Sequence, residues 1–287
     1  MSRSRVRHTA TLAAAAVALT GAVGAATTTT AAPASAAEAA PVKLRIVQHN
    51  TDQRDYRWNK VVAMAESGNW DAVTAQEVCS GWYEALKAKH PDWTIVYRTQ
   101  QKKSDCPGGA KGNVAIHPGP GSTSKNLFKV AGEDKQFSIV CVAFTKATRK
   151  VHACSTHFTV YAKNPADVRL RQAQRVKEIT GKWIRKGHAV VVAGDLNTSP
   201  SAAALNPIYQ FPAGRSTGNF VEAAQLKSKT AQRVGGNTVK GRKIDYVFFS
   251  TNRTPLSAGG SLELISTKTD DDKKEPHKIL QAVTTLR

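Results

Sequence analysis

Asp195 and Asn197 stand two residues apart in the segment Gly194-Asp-Leu-Asn197, directly behind the apolar run 188–193. Short β-branched runs of this kind are typical of buried strands. Two residues at that spacing lie on one side of an extended chain. In layered α/β folds, reactive groups collect at strand ends. A carboxylate and an amide placed there can hold an attacking water, a metal ion or a phosphoryl oxygen.

Polar side chains also end the other predicted core strands. Carboxylates bind hard divalent cations through oxygen, and a histidine paired with an acid serves as general base or acid. Amides and a second histidine stabilise phosphoryl oxygens as charge develops on them. Together these residue types predict hydrolysis of a phosphate ester. The residues, in chain order, are Asn50 and Asp52, Glu77, His157, Asp195 and Asn197, Asp245, and His277.

The elements that must position these side chains are short, interleaved strands and helices. About a dozen strand-like runs are predicted, and several adjacent ones lack a crossover helix between them. The pattern therefore predicts an α/β (α+β) fold, a four-layer sandwich of two packed mixed β-sheets flanked by helices. The longest helix is predicted over residues 165–185. Residues 198–241, rich in Ser, Thr, Asn and Gly, are predicted to form long loops around a short helix.

The N-terminus has the pattern of a secretory signal peptide over residues 1–36. Three arginines precede an uncharged apolar run, and Ala34-Ser-Ala36 is a small-x-small cleavage pattern. Residues 37–41 are predicted to be a short flexible N-terminus, and 42–287 a single catalytic domain, since no linker or repeat interrupts them. A secreted, extracellular monomer is expected. A disordered tail at the N-terminus is the alternative.

The four cysteines of the chain are an even number, which in a secreted protein suggests two disulfides. Cys141 and Cys154 lie in two successive strand-like runs and could bridge a hairpin, which leaves Cys79 to pair with Cys106. Three pairings are compatible with the sequence, and this one ranks first.

The charge of the chain is strongly positive. Lysine and arginine number 41 against 21 acidic residues, a net charge of +20. Without the three arginines of the predicted signal peptide, the net charge is about +17. Such a balance favours polyanionic partners, namely nucleic acid, anionic lipid surfaces or cell-wall polymers. Solubility alone is the simpler explanation that stays open.

The ordered motifs resemble those of the endonuclease/exonuclease/phosphatase superfamily (deoxyribonuclease I-like), with this chain as a secreted bacterial member. The resemblance covers residues 42–286. Members of that superfamily include pancreatic-type deoxyribonucleases, apurinic-site endonucleases, inositol polyphosphate 5-phosphatases and bacterial sphingomyelinases. The matching segments are Gln48-His-Asn50, Gln76-Glu-Val78, Ser155-Thr-His-Phe158, Arg169-x-x-Gln-Ala173, Gly194-Asp-Leu-Asn197, Ile244-Asp-Tyr-Val-Phe248 and His277.

The resemblance implies a divalent cation, Mg²⁺ first and Mn²⁺ or Ca²⁺ as alternatives. Glu77 would be its principal ligand, with Asn50 and Asp52 close by. An acid at the position of Asp52 resembles the apurinic-site endonuclease branch. Arg169 would neutralise a phosphate of the substrate, and a plain helix-surface arginine is the alternative interpretation.

The resemblance also assigns the catalytic roles. Asp195 and Asn197 would position the attacking water and the phosphate, and His157 would contact the scissile phosphate. Asp245 would orient His277, which would act as general base or as an electrostatic partner.

One segment departs from the superfamily pattern. Where the superfamily usually has Ser-Asp-His, this chain has Glu275-Pro276-His277. That aspartate commonly helps to bind the metal, and Pro276 has no ligand atom in its side chain. Three consequences stay open: a lowered metal affinity, substitution by a neighbour such as residues 270–272, or a degenerate site.

The first hypothesis is therefore a secreted, divalent-metal-dependent phosphodiesterase that hydrolyses nucleic acid, with non-specific cleavage of DNA favoured. The alternatives are a sphingomyelinase-type phosphodiesterase acting on membrane lipid, and a degenerate member that only binds polyanions. The sequence does not decide between DNA and RNA, between endo and exo action, or between one metal and two.

Overall fold

A computed structural model describes residues 40–128, 137–160, 163–269 and 276–287. The predicted signal peptide lies outside the described residues, as do the acidic residues 270–272 and Glu275. All described residues belong to one compact unit. No helix among them is both long enough and apolar enough to cross a membrane.

Twelve strands of the described chain form two sheets of six strands each. The first sheet has the order β11-β12-β1-β2-β4-β3 and the second the order β5-β6-β7-β8-β10-β9. Their bounds are β1 Val42–Asn50, β2 Ala72–Cys79, β3 Thr94–Lys102, β4 Ala110–His117, β5 Ser122–Phe128, β6 Phe137–Lys146, β7 Arg149–His157, β8 Ala189–Asp195, β9 Phe220–Glu222, β10 Asp245–Ser250, β11 Gly260–Ile265 and β12 Ile279–Leu286.

Both sheets are mixed. In the first sheet β1 pairs with β2 in parallel and with β12 antiparallel. In the second sheet β7 and β8 are parallel, whereas β10 runs antiparallel to β8. A helix intervenes in sequence between the two members of each parallel pair, because a parallel connection needs a crossover.

The helices are α1 Asp55–Glu66, α2 Ser80–Lys89, α3 Pro165–Arg185 and α4 Ala223–Ser228. The predicted bounds of α3 agree with the structure, since Pro165 stands at its first turn, where proline is favoured. Short 3₁₀ turns lie at Ala203–Leu205 and Leu256–Ala258.

In the described part of the chain the core consists of three apolar clusters, one between the sheets and one on the outer side of each. Val191 contributes to the central cluster, whereas its neighbours Val190 and Val192 pack in the same cluster as the buried face of α3. On the other sheet, Val47 packs in one cluster with residues of α1 and α2. The strand runs are continuously apolar because both of their faces are covered. The predicted sandwich of two packed mixed sheets is confirmed.

The two disulfides join Cys79 to Cys106 and Cys141 to Cys154, the pairing that ranked first. The second one bridges β6 and β7 directly, where the two cysteines are register partners. The first one ties the end of β2 to the glycine-containing loop before β4. Disulfides are typical of oxidising compartments.

Removing the Cys79–Cys106 bridge should destabilise the protein, because a 27-residue separation closes a sizeable loop in the unfolded chain. We expect the double variant Cys79→Ala/Cys106→Ala to lose about 3 kcal/mol of unfolding free energy. Equilibrium urea denaturation at pH 7 measures this loss. A variant as stable as the wild type would show that the bridge is not formed in solution.

Candidate active site

The candidate site lies at one edge of the sandwich, and strand direction explains why its residues meet there. Asn50 ends β1, and Glu77 lies near the end of the parallel strand β2. His157 and Asp195 end the parallel strands β7 and β8 and are direct register partners. Asp245 begins β10, and because β10 is antiparallel to β8, it pairs with Asp195.

Two further residues reach the same edge for the same reason. His277 precedes β12, which is antiparallel to β1, so the start of β12 lies beside the end of β1. Lys111 is at the start of β4, antiparallel to β2, and its register partner is Cys79. Side chains far apart in sequence are thereby brought to one edge.

A buried cluster of glutamine and serine side chains joins the two sheets beneath this edge. Gln76 Nε2 donates to Gln48 Oε1 at 3.0 Å in its own sheet and to Ser155 Oγ at 2.9 Å in the other. Ser155 Oγ donates back to the carbonyl of Ala75 at 3.0 Å. Because these groups are fully buried and bonded to one another, they fix the relative position of β2 and β7.

Asp245 and His277 form a charged pair. His277 Nδ1 lies 3.0 and 2.9 Å from the two carboxylate oxygens of Asp245, which is fully buried. Burial alone would lower the pKa of His277, but the charge and hydrogen bond of Asp245, followed by the charge of Asp195, raise it to about 10. His277 is therefore an imidazolium at neutral pH.

Asp195 is the centre of the cluster. Asn50 Nδ2 donates to its Oδ2 at 3.0 Å, and the backbone N–H of Asn197 donates to its Oδ1 at 2.9 Å. The same Oδ2 lies 3.7 Å from His157 Nε2 and 3.8 Å from His277 Nε2. Burial and the nearby charge of Asp245 raise the pKa of this carboxyl. It is a stronger base than an exposed aspartate.

The residue before Asp195 is a glycine, Gly194, for a steric reason. A Cβ at this position would lie 1.8 Å from the carbonyl oxygen of Thr156 on the neighbouring strand. Any side chain there would push β8 away from β7 and displace Asp195 from its register partner.

His157 is held by two amides. Its Nδ1 lies 3.1 Å from Gln100 Oε1, and its Nε2 lies 3.0 Å from Asn197 Nδ2. Since a carbonyl oxygen only accepts, Nδ1 of His157 carries a proton. Asn197 Nδ2 also donates to the carbonyl of Phe158 at 3.1 Å.

Glu77 sits in an irregular part of β2. The pairing of β2 with β4 shifts register between Ala75 and Val78, and Glu77 has a φ of 55°, uncommon for a residue with a Cβ. Such strained positions cluster at functional sites. Its Oε2 accepts from Lys111 Nζ at 2.6 Å and from Gln53 Nε2 at 2.8 Å.

The carboxyl of Glu77 is ionised over the whole physiological range. Burial alone would raise its pKa, but the charges of His157 and Lys111, with the hydrogen bond from Lys111, hold it at about 2.

Asp52 and Arg169 differ from the other expected site residues. Asp52 lines the same cavity as Glu77, but its Oδ2 is paired at 3.1 Å with Arg57 Nη1, and its side chain is about half exposed (49%). Arg169 Nη1 donates to the carbonyl of Thr159 at 3.2 Å. It lines a smaller neighbouring cavity that Asn197 also borders. The roles given to Asp52 and Arg169 stay predictions.

The site opens into a cavity of about 680 Å³ lined mainly by polar side chains. All of the expected site residues line it except Asp245, which lies behind His277, and Arg169. Three further lining residues contact Glu77 or His157 directly and were not predicted from the sequence: Gln53, Gln100 and Lys111. Gln100 and Lys111 belong to no strand-end motif, so only the pairing of β2, β3 and β4 could have pointed to them. Gln53 follows Asp52 in the turn after β1, and its contact with Glu77 could have been inferred only from the pairing of β1 with β2.

The raised pKa of His277 should make stability depend on pH. Its contribution is fully present below about pH 6.5, the value for the unfolded chain, and is lost as pH rises through about 10. The wild type should therefore lose about 1.4 kcal/mol of unfolding free energy per pH unit between those limits from this group. Urea denaturation at pH 7 and pH 9 measures it. The variant His277→Gln should lack this slope, and an equal slope in both proteins would contradict the assignment.

The oxygen atoms around Glu77 fit a hard divalent cation. Among the described residues, every hydrogen bond to the Glu77 carboxylate falls on Oε2, so Oε1 is left for a ligand. From the same described residues, Asn50 Oδ1 accepts only the backbone N–H of Asp52, at 3.0 Å, and retains a second lone pair. Carboxylate and amide oxygens suit Mg²⁺, which completes its shell with water and substrate phosphate.

A second group of possible ligand atoms lies beside it. Atoms of Asp195, Asp245 and His277 all come within 4.8 Å of one another. Because His277 is protonated and bonded to Asp245, this group is better suited to proton transfer and charge stabilisation than to a cation.

Two packed mixed sheets, with acids, amides and histidines gathered at one edge, define a class: the sandwich-fold hydrolases of phosphate esters. The chain belongs to the Endonuclease/Exonuclease/phosphatase family, whose family model matches residues 47–266. Members of this family generally depend on a divalent metal. No curated protein sequence gave a significant match.

Solved structures share the fold at low sequence identity. Truncated TDP2 from Caenorhabditis elegans is 14% identical, with a TM-score of 0.58 over 84% of this chain and 97% of that one. The human nocturnin catalytic domain with bound sulfate is 11% identical, with a TM-score of 0.61 over 85% and 94%. D. rerio TDP2 complexed with a single-strand DNA product is 15% identical, with a TM-score of 0.59 over 85% and 99%.

Proposed function

We propose that the protein is a secreted, Mg²⁺-dependent phosphodiesterase that hydrolyses nucleic acid, with DNA as the favoured substrate. The observation that carries the proposal is the contact of Asp195 with both histidines at the wall of the cavity that Glu77 also lines. Family membership supports the reaction class. The strongly positive net charge supports a polyanionic substrate, and a related fold, D. rerio TDP2, holds a single-strand DNA product.

The chemistry is in-line attack of water on the phosphorus atom. Asp195 accepts the proton of the attacking water, because burial and the charge of Asp245 raise its pKa and make it a stronger base than an exposed aspartate. A new P–O bond forms, the ester P–O bond breaks, and the leaving oxygen takes a proton from solvent. His277, as an imidazolium held by Asp245, stabilises the negative charge on the phosphoryl oxygens.

Other side chains hold these groups in place. Asn197 fixes both Asp195 and His157, and His157 borders the space where the scissile phosphate would lie. Glu77 and Asn50 would hold the Mg²⁺, which when bound supplies positive charge to the phosphate. Secretion through the predicted signal peptide at 1–36 and a monomeric state belong to the same proposal, and the two disulfides support an oxidising location.

The membrane-lipid alternative would need an exposed apolar or aromatic segment. In the part of the chain that the structure describes, Leu127 and Val160 are the large apolar side chains that are exposed, at 42% and 43%. Two single residues give little apolar area for a bilayer, so the nucleic-acid substrate is preferred.

Incubation of the purified protein with supercoiled plasmid and Mg²⁺, with and without EDTA, tests the proposal. We expect nicking and linearisation that EDTA abolishes. Parallel reactions with RNA, with sphingomyelin vesicles, and with Mn²⁺ or Ca²⁺ in place of Mg²⁺ define substrate and cation. No cleavage of DNA or RNA with any of the three cations would refute the proposal, and release of phosphocholine with nucleic acids intact would favour the lipid alternative.

A further inference from the structure

Lys111 holds the carboxylate that the family would use for its metal. The two charged atoms, Lys111 Nζ and Glu77 Oε2, lie 2.6 Å apart, and both side chains are largely buried, at 16% and 15% exposure. Gln53 donates to the same oxygen. The backbone of the sheet positions this pair. Lys111 is the register partner of Cys79 in the pairing of β4 with β2. The register of β2 shifts between Ala75 and Val78, and Glu77, which lies in this irregular segment, has a positive φ.

The other negative charge expected near the metal is also balanced by the protein. Asp52 is paired with the buried guanidinium of Arg57. Pro276 stands where the superfamily usually has an aspartate, so it adds no charge. A divalent cation that enters the substrate-free site therefore meets a carboxylate that already has an ammonium group on it. Like charges at such short range oppose its binding, and partial burial keeps the repulsion from being screened by salt.

We propose that Lys111 is a resident counter-cation beside the metal position, which holds Glu77 in place through Oε2 and keeps the cation affinity of the substrate-free protein low. The inference rests on the proposed function and deepens it. Tight binding of the cation then requires the substrate, because the phosphate groups of the substrate add negative charge beside the ammonium group and the cation. Lys111 is a positioning residue that acts through Glu77, and it sets the order in which substrate and cation bind.

The test is the binding of Mn²⁺ to the substrate-free protein, followed by the loss of the electron paramagnetic resonance signal of free Mn²⁺. We expect weak binding by the wild type. Lys111→Met removes the charge at similar side-chain length and should tighten binding by about tenfold or more. Lys111→Arg keeps the charge and should bind as weakly as the wild type.

A second lysine–carboxylate pair, at the opposite end of β2, serves as a matched control. Lys146 Nζ pairs with Asp71 Oδ1 at the same 2.6 Å, but Asp71 precedes β2 and lies at the opposite end from Glu77. Lys146→Met should leave Mn²⁺ affinity unchanged. If Lys111→Met tightens binding no more than this control does, or weakens it, the proposal is overturned.

Two further readouts separate a positioning role from a structural one. Thermal unfolding by circular dichroism checks that Lys111→Met is folded, and Lys111→Gln serves in the same assay if it is not. The Mn²⁺ measurement needs no turnover, so a protein that cleaves no nucleic acid still tests the role of Lys111. Conversely, the wild type could cleave DNA while Lys111→Met has no effect on Mn²⁺ binding. That result would contradict this inference and would still support the proposed function.

Discussion

Asp195→Asn should lower the rate of phosphodiester hydrolysis by about 10³- to 10⁴-fold, since the variant removes the proposed general base without changing side-chain size. Asp195 Oδ1 and Oδ2 each accept a hydrogen bond, from the backbone of Asn197 and from the side chain of Asn50. An amide at this position can accept only one of them and must point its NH₂ group at the other donor. The variant therefore loses both the base and part of the geometry around it.

Single-turnover cleavage of a labelled oligonucleotide at saturating Mg²⁺ measures the effect. Asp71→Asn is the matched control, because Asp71 also stands at a strand end but at the opposite edge of the sandwich. It should retain the wild-type rate within about twofold. If Asp195→Asn cleaves as fast as this control, Asp195 is not the base, and the proposed mechanism is wrong.

The fold could be predicted largely because its central strands are buried on both faces. The run that contains Val190, Val191 and Val192 is apolar without interruption for that reason. The end of this run identifies Asp195 as a strand-end residue even when the neighbouring strands are not known. Edge strands carry no such signal. Strand β5, Ser122–Phe128, has a mostly polar and exposed sequence, and nothing in its pattern predicted it.

The site was predictable as far as strand order brings strand ends together. Once β10 is antiparallel to β8, Asp245 must lie beside Asp195, and the sequence motifs already marked both. The same motifs could not show that Asp52 would be paired with Arg57, a contact made by the following helix. Nor could they show Lys111 on Glu77, which depends on the register of β4 with an irregular β2.

The second large effect on the hydrolysis rate is expected when the pairing of Asp245 with His277 is removed. Asp245→Asn removes the charge and the hydrogen bond that, against the effect of burial, contribute most to the raised pKa of His277. We expect that pKa to fall well below its wild-type value of about 10, so that the imidazole becomes neutral near physiological pH. The hydrolysis rate at pH 7.5 should fall by about 10³-fold, because a neutral and poorly oriented ring stabilises little negative charge.

Two measurements separate this electrostatic role from a structural one. An NMR titration of the His277 ring should show the fall in its pKa directly, and the rate of Asp245→Asn should recover in part as pH is lowered and the ring is protonated. Because the two residues act as one unit, the double variant Asp245→Asn/His277→Ala should be little slower than either single variant. Fully multiplicative losses would mean that Asp245 and His277 contribute independently, and an unchanged His277 pKa would mean that another group holds the ring's proton.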